Sequence, residues 1–168
     1  MDIFIISTDK AKNVPQELLN NFEQNDFINK NYALIHSFTY LMLDRILKEY
    51  YGIEDRTIMF KSGKPVLKTE EKEFSISHSN NYIALAFSDS KCGIDIENIK
   101  QRNFKKISQR MKFHSETLKE FYKNWTEYEA KYKLGEQPKS EYSFEIPEYI
   151  VTAVSTNPNE NFDIYYNI

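Results

Sequence analysis

The alternation of apolar and polar positions divides the chain into short strands and two long helical stretches. Residues 2–7, DIFIIS, form an apolar run of the length that suits a buried strand. After a polar segment holding Pro15, the apolar residues Phe27, Leu34, Ile35, Phe38, Leu41, Met42, Ile46 and Tyr50 recur at spacings of three and four. This period predicts a helix over about 26–51, and Gly52 stands where a C′ glycine would end it. Four β-type runs follow, 57–60, 65–67, 73–77 and 82–87, separated by Ser62-Gly63 and Asn80-Asn81 turn signals. They predict an antiparallel meander leading into a strand over 91–97. A second helical region begins at Ser115, with Leu118, Phe121, Tyr122 and Trp125 and then Tyr128, Ala130, Tyr132 and Leu134 before Gly135. Beyond Pro138 the runs 142–146, 149–155 and 162–166 read as strands joined by turns around Pro147 and Asn157-Pro158. The order strand, helix, strands thus occurs twice. The expected class is α+β, with two pseudo-symmetric halves, 1–92 and 93–168, each an antiparallel sheet packed with a long helix and together a single compact unit.

Composition agrees with a packed interior and narrows the chemistry. Of 168 residues, 40% are hydrophobic and 15% aromatic, and no apolar run approaches the ~18 residues of a membrane span. The opening MDIFIISTDK lacks the basic start and small-residue cleavage site of a signal peptide, so a cytoplasmic location is expected. Cys92 is the single cysteine, and His36, His78 and His114 are scattered, so zinc has no thiolate or imidazole cluster to bind. Any metal would be held by oxygen. A net charge of −3 gives no global footprint for nucleic acid. Against that balance, 100–112 reads KQRNFKKISQRMK, with Lys100, Arg102, Lys105, Lys106, Arg110 and Lys112 and no acid. Such a run is commonly a solvated face, and it is also the evident docking surface for an acidic partner.

The stretch GIDIE, 93–97, carries the strongest chemical signal. In an extended strand Asp95 and Glu97 share one face and Ile94 and Ile96 the other. Paired carboxylates repel unless a cation lies between them, and a hard ion such as Mg²⁺ suits one or two carboxylates with phosphate oxygens. An isolated D-x-E is more simply a solvated acidic edge. In FSISHS, 74–79, Phe74 and Ile76 alternate with Ser75 and Ser77, so Ser77 lies on the polar face before His78 and Ser79. Hydroxyls and an imidazole at a strand end suit phosphate, and an ordinary polar hairpin fits equally. His36 and Ser37 on the first helix are weaker candidates, since polar residues on a helix flank are usually solvated. Trp125, Glu129 and Lys133 stand at i, i+4 and i+8 and stack along one helix face. Thr126-x-x-Glu129 equally matches a capping box at the start of a new helix.

Together GKP at 63–65, FSISHS at 74–79, GIDIE at 93–97 and WTEYEAKYKLG at 125–135 resemble the 4′-phosphopantetheinyl transferases, of the monomeric, surfactin-synthetase-activating type. The resemblance covers the chain from about residue 34 onward. It implies a monomer of two similar halves that transfers the phosphopantetheine arm of coenzyme A to a serine of an acyl or peptidyl carrier protein, with Mg²⁺. By position it implies Asp95, Glu97 and Glu129 as metal ligands. Glu129 would also help deprotonate the carrier serine, Lys133 would hold the pyrophosphate, and Lys64, Ser77 and His78 would contact coenzyme A. It implies neither a nucleic-acid nor a membrane partner, and carrier docking on Arg102, Lys105 and Lys106 is expected. Tyr128 stands where the family's W-x-x-K-E-A motif has lysine, and Lys30 is the candidate for its N-terminal basic contacts. A non-catalytic relative that binds carrier or coenzyme A is the alternative.

Overall fold

A computed structural model describes residues 1–20 and 30–166; Asp26 and Phe27, at the expected start of the first long helix, lie outside the described residues. In chain order the elements are β1 (Asp2–Ser7), a 3-10 turn (Thr8–Asn13), α1 (Gln16–Asn20), and α2 (Lys30–Arg45) running into a π-turn (Ile46–Tyr50). Then come β2 (Ile58–Lys61), β3 (Lys64–Leu67), β4 (Glu73–Ser79), β5 (Tyr82–Ser88) and β6 (Cys92–Asn98). The chain continues through α3 (Phe104–Met111), α4 (Leu118–Leu134), β7 (Ser140–Ile146), β8 (Tyr149–Ser155) and β9 (Asp163–Tyr166).

The fold is α+β and stacks four layers, helix, sheet, sheet and helix. The first sheet has the order β4-β5-β1-β9 and the second β6-β8-β7, while β2 and β3 pair by themselves. β1 is buried on both faces, which is why its core reads as an unbroken apolar run. Its Phe4 and Ile6 join Phe38, Leu43 and Leu47 of the α2 region with Phe74, Leu85 and Phe87 in one core. On its other face Ile3 and Ile5 pack with Ala84 and Ala86 against Ile94, Ile96, Val151 and Ala153 of the second sheet. α4 covers the far side of that sheet, setting Ala130 and Leu134 on Val154 and Phe121 on Ile150.

Two expectations change. The first sheet is not wholly antiparallel and not built from the first half alone, because β9 crosses back and pairs parallel with β1, Asp2 facing Asp163. A strand buried on both faces needs a neighbour on each edge, and the hydroxyls of Tyr50 and Tyr165, 2.7 Å apart, fasten the crossing strand. The meander is also broken, since β2 and β3 form a separate hairpin whose Ser62 and Gly63 both have positive φ, the backbone of a tight hairpin turn. No helix among the described residues is long and apolar enough to cross a membrane.

Candidate active site

Three serines of β4 build the junction between the sheets. β8 pairs with one edge of β6, and the amides of Ile94, Ile96 and Asn98 point from its other edge toward β4. Among the described residues no strand backbone pairs with them there. Instead Ser75 Oγ accepts from Ile94 N at 3.1 Å, Ser77 Oγ from Ile96 N at 3.3 Å and Ser79 Oγ from Asn98 N at 3.0 Å. Buried amides left unpaired are costly, so the alternating serines of FSISHS serve as acceptors at a sheet edge. Beside them, Ala84 and Ala86 are small enough to let the sheets approach.

The carboxylates grow from this ladder. Asp95, 5% exposed, accepts at Oδ1 from Ser77 Oγ at 2.7 Å and from Lys133 Nζ at 2.7 Å, while its buried Oδ2 has no hydrogen-bond partner among the described residues. Glu97 accepts from Ser79 Oγ at 3.2 Å. Lys133 also donates to Ile94 O at 3.0 Å, which locks α4 to β6. Burial first, and the Asp95 charge second, hold both Glu97 and Glu129 above the ordinary carboxylate range. The structure therefore pairs Asp95 with Lys133 and sets Glu97 and Glu129 within reach of the Asp95 charge.

α4 reaches this point uninterrupted. Its capping box is Thr117 with Glu120, so the alternative start at Thr126 does not occur. Thr126 lies mid-helix with its hydroxyl on Lys123 O at 3.0 Å and 2.8 Å from Thr152 Oγ1. The helix comes close to β6 because residue 93 is glycine: a Cβ there would stand 2.1 Å from Ala130 O.

Two connected grooves open on the junction. One, about 380 Å³, is lined by His36, Tyr40, Ser77, His78, Asp95 and Lys133. The other, about 570 Å³, runs past Lys61, Lys64, Phe74, Tyr132 and Lys133. Pro65, Ile76 and Lys133 border both. Burial, then the neighbouring His78, lowers the pKa of His36, so this end of the groove favours a neutral imidazole. Lys64 donates to Cys92 O at 3.2 Å, and His78 is exposed, whereas Ser37 is buried. Lys30 opens α2, and its side chain lies outside the described residues. Ser75 and Ser79 were not assigned from sequence; the strict alternation of serines in FSISHS was the available signal.

Among the described residues, no group of three or more His, Cys, Asp or Glu side chains stands together as a ready metal cage. A magnesium ion nonetheless fits the chemistry here: a buried Asp95 oxygen without a partner among the described residues, and two carboxyls within reach of the Asp95 charge, suit a cation that takes its remaining ligands from substrate and water.

The raised carboxyls give a stability signature. Glu97 and Glu129 keep their protons to higher pH in the folded chain than in the unfolded one, where glutamate titrates near ~4.3. Their contribution is fully favourable below the unfolded value and is lost as pH rises through the folded values. Thermal unfolding of the metal-free protein across mildly acidic pH should show Glu97→Gln with a weaker loss than the wild type. Identical profiles would contradict the assignment.

Comparison with protein-family models returns no match, and comparison with curated proteins finds no similar sequence, so a role for this junction rests on its own chemistry.

Proposed function

We propose that the protein is a Mg²⁺-dependent 4′-phosphopantetheinyl transferase, that its two stacked halves are the fold of that family, and that it works as a cytoplasmic monomer. The observation carrying this reading is Asp95. One of its oxygens is held by Lys133, the other is buried without a partner among the described residues, and the residue borders a groove lined from both halves of the chain.

In this reading coenzyme A lies along the grooves, with Lys64 and His78 on the nucleotide and Lys133 on the pyrophosphate. The carrier serine oxygen forms a bond to the phosphorus that bears the pantetheine arm. The bond from that phosphorus to the bridging oxygen breaks, and adenosine 3′,5′-bisphosphate leaves with the electron pair. Glu129, whose raised pKa suits it to take a proton, accepts the one released by the serine. Lys133, held 2.7 Å from Asp95, has the charge and position to offset negative charge on the leaving group. Asp95, with Glu97 and Glu129, would hold Mg²⁺, which would supply further charge neutralisation.

The test is chromatographic. Adding an apo carrier to protein, coenzyme A and Mg²⁺ should release adenosine 3′,5′-bisphosphate, and no release with any of a panel of carriers would refute the reading. One observation favours a non-catalytic binder: Lys133 already neutralises Asp95, while Tyr128, in the position where the family motif has lysine, packs on Phe113 and Trp125. That alternative predicts coenzyme A binding without nucleotide release.

The basic run is proposed as the carrier dock. Arg102, Lys105 and Lys106 are exposed at and before the start of α3, and Arg102 lies over the Phe121 ring at 5.4 Å. Complementary charge acts mainly on encounter and is screened when the Debye length falls from ~10 Å at 0.1 M salt to ~3 Å at 1 M. Reversing all three to Glu should raise the KM for carrier and flatten its salt dependence, leaving the KM for coenzyme A nearly constant. An unchanged carrier KM would leave the run a solvated face.

A further inference from the structure

We infer that Ser77 is a positioning residue for Asp95 and not a contact of coenzyme A, an inference that rests on the transferase reading for its site. A hydroxyl has one proton and two lone pairs. An amide only donates and an ionised carboxylate only accepts, so the arrangement at Ser77 has one solution. The lone pair takes Ile96 N at 3.3 Å and the proton goes to Asp95 Oδ1 at 2.7 Å. A phosphate oxygen needs a donor, and Ser77, 7% exposed, has none left. Its neighbour His78 points to the exposed side of the strand instead.

The unit repeats two residues on. Ser79 takes the Asn98 amide at 3.0 Å and gives its proton to Glu97 Oε2 at 3.2 Å. Each serine thus accepts from one β6 amide and donates to the carboxylate of the residue just before it. Two carboxylates on a bare strand would rotate freely and repel each other; here β4, from the other half of the chain, fixes both. The register contains its own control. Ser75 takes the Ile94 amide at 3.1 Å in the same way, and the residue before Ile94 is Gly93, which has no side chain to position.

The experiment is a calorimetric titration of coenzyme A at a series of Mg²⁺ concentrations. Ser77→Ala should bind coenzyme A without Mg²⁺ within about twofold of wild type, yet require about tenfold more Mg²⁺ for half of the Mg²⁺-dependent tightening, as loss of a charge-assisted hydrogen bond implies. Ser77→Thr keeps the hydroxyl and should restore the wild-type response. Ser75→Ala loses the equivalent amide partner and should lower Tm similarly while keeping the wild-type Mg²⁺ response. Equal loss of affinity with and without Mg²⁺ in Ser77→Ala would make Ser77 a coenzyme contact. A matching Mg²⁺ shift in Ser75→Ala would make the effect general to the ladder. Either overturns the inference. If Ser77→Ala does not fold, Ser77→Cys, whose thiol donates weakly, carries the same comparison. If the wild type binds no coenzyme A, the transferase reading fails by itself, and the Asp95 carboxyl ¹³C shift decides. It should move in the Ser77 variant and stay in the Ser75 variant; an unmoved shift in the former overturns the positioning role.

Discussion

Asp95→Ala should eliminate phosphopantetheine transfer, with a loss of at least about 10³-fold, because the change strips the junction of the group that its neighbours address. Ser77 Oγ would lose its acceptor, and Lys133 Nζ would keep only Ile94 O of the partners it has now. A half-buried ammonium without its counter-ion is costly, so the alanine variant should also be less stable. Asp95→Asn separates charge from shape, since the amide oxygen still accepts from Ser77 while the negative charge is gone. It should be as inactive as Ala and closer to the wild type in Tm. Transfer at the wild-type rate by either variant would remove Asp95 from the chemistry.

The largest effect on stability is expected at Gly93. A Cβ at this residue would stand 2.1 Å from Ala130 O, 3.0 Å from Leu134 N and 3.1 Å from Ala130 C, all of them backbone atoms of α4. No side chain can swing aside to make room, so the helix itself must shift. Ala130 is fully buried and Leu134 nearly so, both against Val154, so a shift opens the contact that seats the helix. Gly93→Ala should cost about 3 kcal/mol or more by overpacking, a fall in Tm of roughly 6–12 °C for a chain of this size. Because α4 carries Glu129 and Lys133, activity should fall as well, even below the melting transition. An unchanged Tm would mean that α4 does not press on β6 as described.

Much of this architecture follows from local signals. Gly52 has a positive φ where a C′ glycine was expected, Gly135 likewise ends α4 with a positive φ, and period-three-and-four spacing marked the first of these segments. Strand alternation placed Asp95 and Glu97 on one face, and they do share it, with Ile94 and Ile96 turned into the sheet interface. The serine ladder was not legible, because FSISHS alternates as a half-exposed hairpin strand would, and only a second strand edge running alongside reveals that its hydroxyls receive amides. Nor could Thr126 be resolved, since a threonine three residues before a glutamate looks the same inside a helix as at its start. Contact with Thr152 settles it. β9 was recognised as a strand but its place was not, because pairing with β1 depends on which edge the completed sheet leaves open.

The carrier protein offers the most direct test of the central claim, through its intact mass after incubation with the wild-type protein, coenzyme A and Mg²⁺. The account predicts that an apo carrier gains one phosphopantetheine group, that a carrier with its acceptor serine changed to alanine gains none, and that EDTA stops the reaction. A panel of apo carriers unchanged in mass, at protein concentrations where coenzyme A is bound, would contradict it.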